Sequence, residues 1–183
     1  EVISLNPKFI KVPSACNLNK ELLNILSKEY SGEIHISLGM TTQDEQLKII
    51  DLFEQNDRGK DLVVYSCTSG YPVPFRDVCL TEILKLNDTI GEKVKNIAFS
   101  GHHLGIAIDL GAYMLGAKWI ERHYTLDRTW KGTDHAASLE PSGLRKLVRD
   151  LEALSESLKD KPTDILDIEI EQRKKLKSNQ IRW

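Results

Sequence analysis

In KWIERHY, residues 118–124, Glu121 and His123 stand two apart, the spacing that puts two side chains on one face of a strand and turns Arg122 to the other. Another pair, His102–His103, lies one predicted strand–helix–strand unit earlier. Neighbouring parallel strands run about 4.8 Å apart, so His102 and His123 can converge on one ion. Two imidazoles and Glu121, with waters or substrate oxygens completing the shell, suit a divalent transition metal such as Mn²⁺. The alternative is a strand histidine satisfied within a core. Lys11 sits inside the otherwise apolar FIKVPS. A buried ammonium is costly without an anion, so Lys11 either points into a lumen toward a phosphate or carboxylate, or reaches solvent along its stem. CTSGYPVPF, residues 67–75, offers Thr68, Ser69 and Tyr71 hydroxyls on a loop shaped by one Gly and two Pro. The polar loop 125–138, TLDRTWKGTDHAAS, crowds Asp127, Arg128, Lys131, Asp134 and His135 where a polar or anionic substrate would meet them.

These residues need elements to position them. Strand-like runs are expected at 9–14, 33–38, 62–67, 96–100 and 118–124, and helical patterns at 19–30, 42–55, 76–86, 104–115 and 140–159. LVVY at 62–65 is continuously apolar, as befits a parallel strand covered on both faces. Alternating βα units imply an α/β fold with a parallel sheet, either doubly wound or closed as a barrel. No GxGxxG or GxxxxGK[ST] follows any strand, and polar residues gather at every strand's C-terminal end: Ser14, Ser37, Thr68–Ser69, Ser100–His102 and His123. That favours a (β/α)8 TIM-type barrel, whose active site lies on that face. Only five of its eight βα units are expected here, within residues 1–160. Residues 161–183 are expected as a helical or partly ordered tail whose run 173–177 is a solvated charged face.

The 183 residues are 40% hydrophobic and 28% charged, with 25 Lys plus Arg against 27 Asp plus Glu. The net charge of −2 leaves no basic surplus for a phosphate backbone, so nucleic acid is not an expected partner. No apolar run approaches the ~20 residues of a membrane span. The opening residues show no signal-peptide pattern, and three cysteines without metal-like spacing read as reduced, mostly buried thiols; the expected compartment is the cytoplasm.

KVPSACNLN, ISLGM, CTSGYP and the long run FSGHHLGIAIDLGAYMLGAKWIERHYTLDRTWKGTDHAASLEP together resemble the N-acetylneuraminate (sialic acid) synthase family, from about Phe9 to about Leu151. The resemblance implies a (β/α)8 barrel followed by a small antifreeze-protein-like domain exchanged within a homodimer. It further implies condensation of phosphoenolpyruvate with open-chain N-acetylmannosamine to N-acetylneuraminate and phosphate, by C–O cleavage and with Mn²⁺, Mg²⁺ or Co²⁺. By motif, Lys11, Ser14, Ser69 and Ser100 take phosphate-binding roles, although many members have Asn where this chain has Ser69. His102 and His123 match the metal ligands, with His103 an unassigned neighbour. Glu121 matches the carboxylate beside the metal, for proton transfer or water positioning, and Tyr71 and Asp134 match sugar-binding positions. The family's other catalytic groups fall in strands and a domain outside this chain, so turnover by the chain alone is not expected. Two alternatives remain open: a synthase for legionaminic or pseudaminic acid, and a non-catalytic polysaccharide-associated barrel fragment.

Overall fold

The computed structural model describes residues 1–178. All five expected strands form: β1 Phe9–Val12, β2 Glu33–Ser37, β3 Leu62–Cys67, β4 Asn96–Gly101 and β5 Ile120–Arg122. Three are shorter than expected, β2 by a single residue. β1 stops before Pro13, which has no N–H to give the ladder. β5 ends at Arg122 because β4 ends at Gly101; beyond it the His123 carbonyl accepts from the Leu139 N–H at 2.8 Å instead.

The helices are α1 Lys20–Glu29, α2 Gln43–Glu54, α3 Glu82–Ile90, α4 Ala107–Met114, α5 Pro141–Ser157 and α6 Asp167–Lys177. Asn19 starts α1 by accepting the Leu22 N–H, and Thr42 and Glu45 cap the start of α2 reciprocally. α3 begins six residues later than expected. Residues Phe75–Asp77 make only a 3-10 turn, and Cys79 at φ 53° breaks the helical path. α4 likewise starts after Gly105, whose φ of 75° suits glycine.

Every strand pair is parallel and the sheet order is β1-β2-β3-β4-β5. Each new strand is added on the same side of the last. Right-handed crossovers then put all connecting helices on one face, whereas a doubly wound sheet would reverse direction and cover both. The topology therefore selects barrel-type winding. Curvature follows from one contact. Lys11 on β1 and Glu121 on β5 belong to opposite edges, about 19 Å apart in a flat sheet at the usual strand spacing. Their side chains nevertheless meet at 2.9 Å. The sheet is a parallel half-barrel of five strands.

Alternation along the strands separates two apolar regions. Ile34, Ile36, Leu62, Val64, Ile97 and Phe99 face outward into the main core with Leu23, Leu26, Ile50, Phe53, Ile83 and Leu86 of the helices. Full burial of such side chains contributes about 1.5–3 kcal/mol each. On the inner face Val63, Tyr65 and Ala98 form a small separate cluster. None of the three free cysteines is fully buried, contrary to expectation: Cys16 and Cys67 are half-buried and Cys79, on its left-handed turn, is exposed.

The chain divides into two compact units, Glu1–Leu151 and a smaller one from Glu152. Within the second, the Glu169 carboxylate accepts from Lys161 at 2.9 Å, and 173–177 are exposed, as a solvated charged face should be. The last five residues of the expected tail, 179–183, lie outside the described residues.

Candidate active site

Inward-facing side chains build the site in layers. The strand register sets Lys11 beside His35, Ser37 beside Tyr65, Cys67 beside Ser100, and Ser100 beside Glu121. At the C-terminal end of this face, Lys11 Nζ donates to Ser37 Oγ at 2.8 Å and to Glu121 Oε1 at 2.9 Å, and lies 4.9 Å from the Tyr65 ring centroid. Ser100 Oγ donates to the same Glu121 oxygen at 2.8 Å. Of the two possibilities for Lys11, the lumen is the one realised, and its anion here is Glu121.

Above this layer the loops after β1, β2 and β3 bring hydroxyls together around Gly39. A Cβ at Gly39 would stand 2.5 Å from both Ser14 Oγ and Ser69 Oγ and 3.1 Å from Cys67 Sγ. Only glycine lets these groups converge. Ser14 Oγ has Cys67 Sγ as a neighbour at 3.5 Å, while Ser69 Oγ is buried with no hydrogen-bond partner among the described residues. An unmatched buried hydroxyl is costly, and an anion in this cradle would satisfy it.

His102 and His123 do come together, their ring centroids 5.1 Å apart. Tyr71 edges against both, at 4.6 Å and 5.5 Å. His102 Nδ1 is 2.9 Å from the Thr68 carbonyl, which can only accept, so Nδ1 carries the proton and Nε2 keeps its lone pair. Burial pushes both imidazoles below the ordinary histidine value, and for His123 the neighbouring His102 adds to the effect. Neutral rings with a free nitrogen are what a metal requires. Asp134 Oδ2 lies 3.7 Å from His123 Nδ1.

The expected trio of two imidazoles and Glu121 is not assembled. Glu121 is turned to Lys11 and Ser100, which offer it charge-assisted hydrogen bonds. Among the described residues no three His, Cys, Asp or Glu side chains converge as a metal cluster. His102 and His123 fit a divalent ion only with oxygen ligands from water or substrate.

Ser37, noted in the sequence only as one of the polar strand ends, proves to hold Lys11; the Thr68 carbonyl, which sets the His102 tautomer, and Gly39, which makes room for the hydroxyls, were not foreseen. Strand alternation could have placed Ser37 on the inner face. Nothing local marks a carbonyl or a glycine for such service.

A singly wound parallel half-barrel with lysine, carboxylate, hydroxyls and imidazoles at its C-terminal mouth belongs to the class of barrel-type α/β proteins with a polar site at the strand ends. The model for the NeuB family matches residues 1–163, and the chain belongs to that family. It is 36% identical over 172 residues to the N-acetylneuraminate-9-phosphate synthase of Homo sapiens, covering 94% of this chain and 46% of that protein. It is 32% identical over 157 residues to the N,N'-diacetyllegionaminic acid synthase of Campylobacter jejuni, covering 85% and 46%. The chain thus spans about half the length of these relatives. Among solved structures, an N-acetylneuraminic acid synthetase from Leptospira borgpetersenii in complex with citrate superposes with a TM-score of 0.78 at 29% identity. The match covers 95% of this chain and 60% of that one. A spore coat polysaccharide biosynthesis protein of Bacillus subtilis, at 24% identity and TM-score 0.75, shares the fold.

Proposed function

We propose that this chain is part of the (β/α)8 catalytic barrel of a synthase that condenses phosphoenolpyruvate with N-acetylmannosamine, giving N-acetylneuraminate and phosphate. Residues 1–160 would be the barrel portion, and 161–183 a linker toward an antifreeze-protein-like domain in a cytoplasmic homodimer. Among the described residues no helix is long and apolar enough to cross a membrane. The observation that carries the reading is the convergence, at one mouth, of the Lys11–Glu121 pair with the hydroxyl cradle around Gly39.

In this reading Lys11 and the hydroxyls of Ser14 and Ser69 hold the phosphate of phosphoenolpyruvate by charge and hydrogen bonding, while Ser100, expected to join them, gives its one proton to Glu121. Tyr71 and Asp134 bind the sugar beside His102 and His123. The bond formed joins phosphoenolpyruvate C3 to the aldehyde carbon. Water adds at C2, and the C2–O bond breaks as inorganic phosphate leaves. Glu121, held between Lys11 and Ser100, orients that water and takes its proton. A divalent cation, Mn²⁺ foremost with Mg²⁺ or Co²⁺ as substitutes, would be held by His102 and His123 and would supply Lewis-acid polarisation of the aldehyde oxygen.

The test is phosphate release from phosphoenolpyruvate labelled with ¹⁸O at its bridging oxygen, followed by ³¹P NMR with Mn²⁺ and N-acetylmannosamine. The longer protein containing this segment should release phosphate carrying the label, and the 183-residue chain alone should release none. Unlabelled phosphate, or no reaction by the longer protein, rejects the reading. The legionaminic acid synthase relative favours one alternative, a different 2-acetamido sugar as acceptor. Competition between N-acetylmannosamine and a 2,4-diacetamido-6-deoxy sugar decides between them.

A further inference from the structure

We infer that Arg122 is a positioning residue for the imidazole pair. From the outer side of the sheet it fastens the three backbone segments that carry His102, His123 and Asp134. The inference rests on the proposed use of that mouth as a site.

Alternation on β5 turns Arg122 away from Glu121 and His123 and toward α4, where its side chain is 3% exposed and that of Asp109 is 0% exposed. Nη1 donates to Asp109 Oδ2 at 2.5 Å and to the Gly105 carbonyl at 2.8 Å, and lies 3.2 Å from His103 Nε2. Nη2 donates to the His103 carbonyl at 2.7 Å and to the Ala137 carbonyl at 3.3 Å. One planar cation therefore spans the β4–α4 loop, α4 and the turn that follows Asp134.

Each tie lies close to a site residue. His103 follows His102, so holding its carbonyl fixes the loop from which the His102 ring reaches the Thr68 carbonyl. Ala137 lies in the 3-10 turn His135–Ala137, which Asp134 immediately precedes, and its own N–H donates back to the Asp134 carbonyl at 3.1 Å. His123 is the residue after Arg122. A carboxylate partner alone would need only a point charge. Carbonyls on two separate loops need the guanidinium fork, which an ammonium cannot reproduce. Stability and site geometry should therefore come apart on substitution. R122K keeps a cation for Asp109 but loses the span. D109N weakens the buried ion pair but leaves the carbonyl contacts.

The experiment follows imidazole tautomers of the 183-residue chain by long-range ¹H–¹⁵N NMR, alongside Tm and Mn²⁺ titration by electron paramagnetic resonance. R122K should fold with a Tm near that of the wild type. Its His102 should lose the single Nδ1–H pattern, and its Mn²⁺ dissociation constant should rise about tenfold, as for loss of a ligand-orienting partner. D109N should lower Tm and leave the His102 pattern intact. A folded R122K with wild-type tautomers and Mn²⁺ affinity overturns the inference, as does a D109N that scrambles the His102 ring as much as R122K does. If R122K does not fold, the wild-type guanidinium decides. Resolved, slowly exchanging Arg122 Nη protons support the clamp, and one freely averaged signal overturns it. Should the wild-type chain take up no Mn²⁺ while R122K still disturbs His102, the metal assignment fails and the positioning role stands.

Discussion

Gly39 carries no functional group, yet the convergence of Ser14 and Ser69 depends on it. In G39A the new methyl would displace at least one hydroxyl. A hydrogen bond to a charged group is worth about 1.5–3 kcal/mol, so the Kd for inorganic phosphate in the longer protein should rise at least about tenfold. Titration by ³¹P NMR measures this; unchanged phosphate affinity would remove the cradle from the proposed site. The sequence made Ser14 and Ser69 visible through their motifs. Gly39 was visible only as a letter in ISLGM, because a requirement for empty space lies in the neighbours and not in the residue.

Among elements, β2 shows how strand alternation can put a titratable group inside. His35 faces the lumen with its Nδ1 2.8 Å from the Tyr65 hydroxyl, in a cluster with the rings of Phe9 and Trp119. Glu33 Oε2, at 3.6 Å, and Glu121 favour its charged form, and Lys11 opposes it. Burial outweighs them and holds its pKa below the ordinary value. A histidine depressed in the folded state contributes stability above its unfolded pKa of about 6.5 and loses it as pH falls, at about 1.4 kcal/mol per unit of depression. Urea unfolding at pH 7 and pH 5 should show a smaller acid-induced loss for H35Q than for the wild type. An identical loss would remove His35 as a contributor. Five strands and their polar ends were legible from period and punctuation. The start of α3 was not, because apolar spacing around 76–86 mimics a helix and the left-handed turn at Cys79 has no sequence signature.

For the molecule as a whole, winding direction leaves β1 and β5 each paired on one side only among the described residues. Phe9 and Trp119, at these edges, remain 46% and 40% exposed. Open parallel edges invite pairing with another chain. The 183-residue chain should therefore self-associate, its sedimentation coefficient rising with concentration. A strictly monomeric chain over the micromolar range would mean that the edges are already protected.

The sequence by itself determined which residues could do chemistry, that strands and helices alternate, and that reactive groups sit at strand ends. All of these depend on neighbours along the chain: period-2 alternation, apolar spacing and turn residues. The tertiary structure decided the barrel-type winding, the meeting of Lys11 with Glu121 across 110 positions, and the engagement of Glu121 by Lys11 and Ser100. It also decided the grip of Arg122 on three separate segments. The Lys11–Glu121 meeting depends on how far the sheet curls, a sum of small twists over five strands, and the rest on strand order and on which loops and helices pack beside each strand; no local stretch encodes these.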